Sequence, residues 1–269
     1  MAFALPKRAV ARIAPASVPG PQIVIGPDAV LGSTPELLAL CNTSEGVRIV
    51  PWLWTTGETA PPGAIYRVAK RLLDVVISLG LLVLAAPLLL VLAVIIRLES
   101  PGPALYGQPR IGQHGRRFRM YKLRTMRAGA DSHLHELLRS SAPPPAAAGP
   151  AFVYKLPHDP RITRSGRWLR KSSLDELPQL LNVLRGEMSL VGPRPELPEV
   201  LVHYSPHTLA WLALPPGLTG WWQVNGRSNH PRHQSTDYDL HYLQHASLAL
   251  DLAILARTVG VVVRGTGAF

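Results

Sequence analysis

"VVISLGLLVLAAPLLLVLAVII", residues 75–96, is a run of 22 residues without a charged side chain. A helix of that length spans about 33 Å, enough for the hydrocarbon core of a bilayer. Two features argue against a plain crossing. Pro87 stands near the middle, where its ring removes a backbone hydrogen bond and kinks a helix. Both flanks are also basic, with Arg67, Lys70 and Arg71 before the run and Arg97, Arg110, Arg116 and Arg117 after it. Basic flanks favour the cytoplasmic side, so both ends are drawn to one side of the membrane. A helix–break–helix hairpin that enters one leaflet and returns meets both conditions. A straight span meets only the first, and a buried core helix is the plain alternative.

The whole chain agrees with a membrane partner. It has 269 residues and a net charge of +11, with 47% hydrophobic and only 17% charged residues; roughly 25% charged is usual for soluble domains. The excess positive charge calls for an anionic partner such as lipid headgroups or phosphorylated substrates. Aromatic residues, at 6%, are too few for a stacking platform, which argues against nucleic acid. The single cysteine, Cys41, excludes an internal disulfide framework and suggests a reducing compartment.

The sequence divides at residues 63 and 99. Residues 1–63 read as a basic disordered tail, a small N-terminal segment and a Gly/Pro-rich linker. Residues 64–99 form the membrane hairpin, and residues 100–269 the remaining domain. There "SPGPALYGQPRIGQHG" (100–115) reads as a loop, and "RRFRMYKLRTM" (116–126) as a short strand or interfacial segment. Residues 159–188 read as two helices with a capped start at Ser172 or Ser173. Leu248, Leu252, Leu255 and Val259 recur at helical period, so 247–263 reads as a helix along the membrane or on the core.

Between those two central helices lies "SSLDELPQLL" (172–181), with Asp175 and Glu176 side by side. Ser173 and Glu176 have the spacing of a capping box, and Pro178 is tolerated in a first helical turn. On that reading the acids are an ordinary helix start. The surroundings argue for chemistry. Arg161, Arg164, Arg167, Arg170 and Lys171 precede the acids, and Arg185 and Arg194 follow. So many cations suit a site that receives phosphates, which arginine grips through two parallel hydrogen bonds. Adjacent carboxylates among them suit magnesium, which binds through one or two carboxylates plus substrate phosphates. A carboxylate left over is able to attack phosphorus.

Five motifs in order carry a family resemblance: "KRLLD" (70–74), "SPGPALYGQPRIGQHGRRFRMYKLRTM" (100–126), "DPRITRSGRWLRKSSLDELPQLLNVLRGEMSLVGPRPE" (159–196), "PGLTGWWQVNGR" (216–227) and "YDLHYL" (238–243). From about Tyr66 to Phe269 the chain resembles the bacterial sugar transferases, the monotopic polyprenyl-phosphate phosphoglycosyl transferases. The resemblance implies a mainly α protein with minor β. It would be monotopic, with a re-entrant helix–break–helix hairpin and interfacial amphipathic helices around a small catalytic domain. That domain would lie on the cytoplasmic face of the bacterial inner membrane. It implies transfer of a sugar-1-phosphate from a UDP-sugar to undecaprenyl phosphate through a covalent aspartyl-phosphosugar, the first membrane step of exopolysaccharide assembly. Asp175 is then the nucleophile, Glu176 its partner carboxylate, and both are ligands of Mg2+. Arg170, Arg194 and Arg227, with Lys122 and Arg124, are the expected phosphate-binding set. A homodimer is left open, and a catalytically inactive scaffold of a polysaccharide assembly complex is the alternative.

The chain departs from the family pattern at two places. Ala86-Pro87 stands where the family has Ser-Pro, and His158 stands where it has Asn. The ten histidines lack the cysteines or paired acids of a zinc site. Trp211, Trp221 and Trp222 suit headgroup anchoring better than a uridine pocket. Asp239 is a third acid or a salt-bridge partner, and Asp74 pairs with Arg71 or caps a helix.

Overall fold

The computed structural model describes residues 62–127, 129–130, 159–198, 201, 204, 207–225 and 236–264, together with two short strands near the N-terminus. Those strands, β1 (Gln22–Ile25) and β2 (Arg48–Pro51), pair in parallel. The division of the chain before residue 62 and His158 otherwise lie outside the described residues.

The uncharged run belongs to one helix, α1 (Ala64–Glu99), 36 residues long and assigned without interruption through Pro87. The break expected there is therefore not a loop: the helical hydrogen bonds resume around the proline. By length and composition α1 could cross a membrane. Leu84 and Leu90 are 78% and 70% exposed, so its middle is not a core helix. Apolar surface of this extent left uncovered by protein belongs against lipid.

Both ends of α1 are gripped by the same domain. Near the start, Lys70 is buried in an ion pair with Asp251 at 2.9 Å, and Asp251 also accepts from Tyr66 (3.0 Å) and Tyr242 (2.6 Å). Arg71 donates to the carbonyls of Val183 and Leu184, and Asp74 accepts from the Leu190 amide. Arg71 and Asp74 thus each bind backbone in the domain, and the Asp74–Arg71 pair expected from their spacing does not form. At the far end Ile96 and Leu92 pack with Leu123 and Leu169. Glu99 accepts from the amides of Arg164 and Ser165 and from the Ser165 hydroxyl.

A hairpin follows, β3 (Leu105–Ile111) with β4 (Arg117–Leu123), antiparallel in register Leu105↔Leu123 to Ile111↔Arg117. The β4 segment was readable as a strand, whereas β3 occupies the stretch read as a loop. Pro109 is tolerated because each strand of a two-stranded ribbon has an unpaired edge. The next helices are α2 (Arg164–Ser172) and α3 (Gln179–Arg185), joined by a 3-10 turn at Leu174–Glu176. Then come β5 (Ser189–Val191), a 3-10 segment at His207–Ala213, β6 (Gly217–Thr219), α4 (Trp221–Asn225), α5 (Thr236–His245) and α6 (Leu248–Arg264). The mainly helical class with minor β is as expected. In α6 the buried Asp251 and Ile254 face the domain, while Leu252 and Val259 are exposed at 52% and 65%.

The core gathers α3, β5, the 3-10 segment and α5 around Leu180, Val183, Met188, Trp211 and Tyr242, all essentially without solvent contact. Trp211 meets Tyr204 edge to face at 6.4 Å. It is a core residue, and the headgroup position expected of it is ruled out by its burial. Parallel β5 and β6 bring two glycine-bearing loops so close that a Cβ on Gly192 would fall 2.3 Å from the Pro215 carbonyl oxygen. A Cβ on Gly217 would fall 2.1 Å from the Gly192 amide nitrogen. Only hydrogen fits at either position. The Gly217 amide then donates to the Pro193 carbonyl at 2.8 Å, which fixes the chain where Arg194 begins.

Candidate active site

Local backbone geometry sets Asp175 apart. Helix α2 ends at Ser173, which adopts a left-handed conformation (φ 57°, ψ 16°) and whose amide donates to the Arg170 carbonyl. That reversal starts the 3-10 turn Leu174–Glu176. Ser173 makes no side-chain cap there, so the capping box suggested by the spacing does not form. The Ser173 amide is already used by α2, and the Glu176 side chain points to cations instead.

Glu176 Oε1 accepts from Lys122 Nζ at 2.8 Å and from Arg194 Nη2 at 2.9 Å. Lys122 arrives from β4, which Asn182 fastens to α3: its side chain accepts from the Tyr121 amide at 3.0 Å and donates to the Arg119 carbonyl at 2.7 Å. Burial works against the Glu176 carboxylate, but Arg194 and Lys122 overcome it and hold its pKa well below the ordinary value. Burial lowers the Lys122 pKa, with Glu176 opposing.

Asp175 is different. It is 7% exposed, and among the described residues it makes no hydrogen bond or ion pair. Burial raises its pKa, while Lys122, Arg170 and Arg194 oppose through space. A buried carboxylate without a partner is costly. Here it lies in the field of three cations that do not bind it. Arg170 is aimed by Thr125, whose hydroxyl accepts from Nε at 2.9 Å. The α2 helix is fixed beside that threonine by the Thr163 amide donating to the Thr125 carbonyl (3.1 Å), with the Thr163 hydroxyl capping Gly166 (3.0 Å).

The structure therefore brings Asp175, Glu176, Lys122, Arg170 and Arg194 together. Arg124 is held elsewhere in this structure: its guanidinium donates to the carbonyls of Pro101 and Ser100 at the end of α1. Arg227 lies outside the described residues. The crowd of neighbouring arginines also thins. Arg161 is buried against Asp159 at 2.6 Å, Arg185 lies over the Tyr121 ring at 5.0 Å, and Arg164, Arg167 and Lys171 are exposed. Thr125 and Asn182 are positioning residues that sequence reading missed, because their partners are 45 and 61 residues away. Asp239 is 2% exposed in α5. Trp221 stacks on His241 at 5.2 Å, and the Arg257 guanidinium lies over the Trp221 ring, also at 5.2 Å.

Among the described residues no three His, Cys, Asp or Glu side chains converge as a metal cage. Two adjacent carboxylates, one unpartnered and one with an oxygen outside its ion pairs, fit a magnesium ion that takes its other ligands from substrate phosphates and water.

A fold that grips both ends of one apolar helix and gathers two acids with three cations is that of a membrane-associated protein whose site suits phosphates. Residues 65–265 match the bacterial sugar transferase family, and the chain belongs to that family. It is 43% identical over 203 residues to the undecaprenyl-phosphate galactose phosphotransferase of Salmonella typhimurium, covering 76% of this chain but 42% of that protein. To the UDP-glucose:undecaprenyl-phosphate glucose-1-phosphate transferase of Caulobacter vibrioides it is 44% identical over 211 residues, 74% of this chain and 73% of that one. The exopolysaccharide production protein ExoY of Rhizobium meliloti is 40% identical over 214 residues, 80% of this chain and 92% of the relative. The chain thus spans under half the length of some relatives and nearly all of others.

Proposed function

We propose that the chain transfers a sugar-1-phosphate from a UDP-sugar to undecaprenyl phosphate. The observation that carries this reading is the contrast between the two acids: Glu176 is held by two cations, and Asp175 beside it is buried with no partner among the described residues. In the first step an Asp175 oxygen attacks the sugar-bearing phosphorus. The bond from that phosphorus to the bridging oxygen breaks, and UMP leaves with the electron pair. In the second step an oxygen of undecaprenyl phosphate attacks the same phosphorus, the acyl-phosphate bond breaks, and Asp175 regains its carboxylate.

Arg170, Arg194 and Lys122 hold the phosphates and offset the charge that gathers on their oxygens, the main task in phosphoryl transfer. Glu176 keeps Lys122 and Arg194 in position beside Asp175. Magnesium, bound by Asp175 and Glu176, would supply further charge neutralisation at the diphosphate. A non-catalytic scaffold would have no use for an unpartnered buried carboxylate. Purified protein incubated with undecaprenyl phosphate, magnesium and a panel of UDP-sugars is expected to release UMP with one or more of them. No release from any, with lipid acceptor present, would refute the reading.

The relatives named for undecaprenyl-phosphate substrates support a site at a membrane, and the basic flanks of α1 favour the cytoplasmic face of the inner membrane for the domain. The re-entrant course of α1 is supported by its contacts. A straight helix would carry Ile96 about 38 Å from Arg71. Yet Arg71 binds Val183 and Ile96 packs on Leu123, on the α3 and β4 elements that Asn182 joins. A bend at Pro87 reconciles the two, returning the chain to the leaflet it entered. Single cysteines placed at Arg67 and Gly102 in a Cys41→Ser background are both expected to label only from the cytoplasmic side. Labelling of the two from opposite sides would establish a span.

A further inference from the structure

Gln179 is the first residue of α3 and is 1% exposed. Its amide nitrogen is completely enclosed and has no hydrogen-bond partner, and among the described residues none bonds its carbonyl oxygen. Buried carboxamides nearly always hydrogen-bond, because losing water without replacement is costly. Nothing in the fold requires this one: Leu180 and Val183 on the same helix already fill the core.

Its place is informative. Leu177 (φ −54°, ψ −36°) and Pro178 (φ −61°, ψ −16°) are both helical, so the 3-10 turn of the acids runs without interruption into α3. Gln179 follows Glu176 by three residues, the spacing that stacks side chains on one face of a 3-10 turn, and i→i+3 bonds continue through Leu177 and Pro178. An unsatisfied amide thus lies on the face of Glu176, the residue next to Asp175 and the one that holds Lys122 and Arg194.

We propose that the Gln179 carboxamide is a catalytic donor, hydrogen-bonding an oxygen of the phosphoryl group while that group is transferred to and from Asp175. The inference rests on Asp175 being the nucleophile. Its chemistry complements the cations already present. Lys122, Arg170 and Arg194 supply positive charge to the phosphates on arrival, and what they do not supply is an uncharged donor. A neutral N–H donor leaves the carboxylate free and acts only when an oxygen reaches it. Such a bond is made at the transferring phosphoryl group and not in the free enzyme, so it raises kcat more than it lowers KM.

The test is Gln179→Met, which keeps length and removes both polar atoms. The thermal midpoint in detergent is expected to be unchanged or higher, because no protein hydrogen bond is lost. UMP release should fall about 100-fold in kcat, with KM for the UDP-sugar within about threefold. A variant with wild-type kcat overturns the proposal, and so does one whose activity falls only in step with a lowered midpoint. If the Met variant does not fold, Gln179→Asn keeps an amide but withdraws it by one methylene. Turnover within threefold of wild type from that variant likewise overturns the assignment, and a fall of tenfold or more in a folded variant supports it. Asp175→Asn, run in parallel, separates the two readings. An adduct on that variant refutes the nucleophile, while a normal wild-type adduct with a fully active Met variant refutes only the role of Gln179.

Discussion

Asp175→Asn is expected to abolish the phosphosugar–protein adduct and to lower turnover by about 10⁴-fold or more, as loss of a covalent nucleophile does. The substitution exchanges one oxygen for an amide nitrogen and leaves shape unchanged. Asp175 has no described partner to lose, and burial already raises its pKa, so the folded state gives up little. Stability should stay within about 0.5 kcal/mol of wild type or rise slightly. That pairing of a large kinetic loss with a small structural effect is diagnostic. Adduct is measured by incubating detergent-purified protein with a UDP-sugar labelled in the sugar and counting label that stays on the chain after denaturation. A variant that accumulates adduct and turns over normally would remove Asp175 from the mechanism.

The second large effect concerns stability. Asp251 accepts from Lys70, Tyr66 and Tyr242, and is 2% exposed. Removing one partner of a buried ion pair leaves the other charge stranded, at a cost of about 3–5 kcal/mol. Asp251→Ala strands Lys70 and two phenols at once, so thermal unfolding in micelles is expected to show a loss of that size. Burial and the Asp251 charge hold the Tyr242 pKa well above the ordinary value, so this phenol stays a neutral donor. Asp251→Leu with Lys70→Met should recover much of the loss, since an apolar pair of similar volume avoids the stranded charge. A single Asp251→Ala variant that melts like wild type would show that the network contributes nothing to holding α1 on the domain.

The elements that were legible in the sequence are those whose signal is local. Twenty-two uncharged residues announce α1, and the helical spacing of Leu248, Leu252, Leu255 and Val259 announces α6. Strand β3 was not legible because Pro and Gly mark loops in most contexts, and only pairing with β4 shows that Pro109 faces an open edge. The acids themselves were found from their neighbourhood. Their geometry was not, because Ser173 turns left-handed to end α2 and so cannot cap the next turn. Which arginines reach the site is likewise a tertiary matter. Arg161 goes to Asp159 and Arg124 to the end of α1, while Lys122 reaches Glu176 across 54 residues of chain. Charge density in a sequence locates a phosphate site without saying which cations serve it.

Glu99, the last residue of α1, takes two backbone amides at the start of α2, the helix whose far end carries Arg170. With Lys70 and Asp74 anchored at the other end of α1, the acid–cation cluster is mounted on the one helix long and apolar enough, among the described residues, to cross a membrane. Altitude above the bilayer is then a built-in quantity. On the proposed function, contacts at the two ends of α1 would set how far Arg170 and Asp175 stand from the leaflet, and a lipid phosphate would come within reach by lateral drift alone.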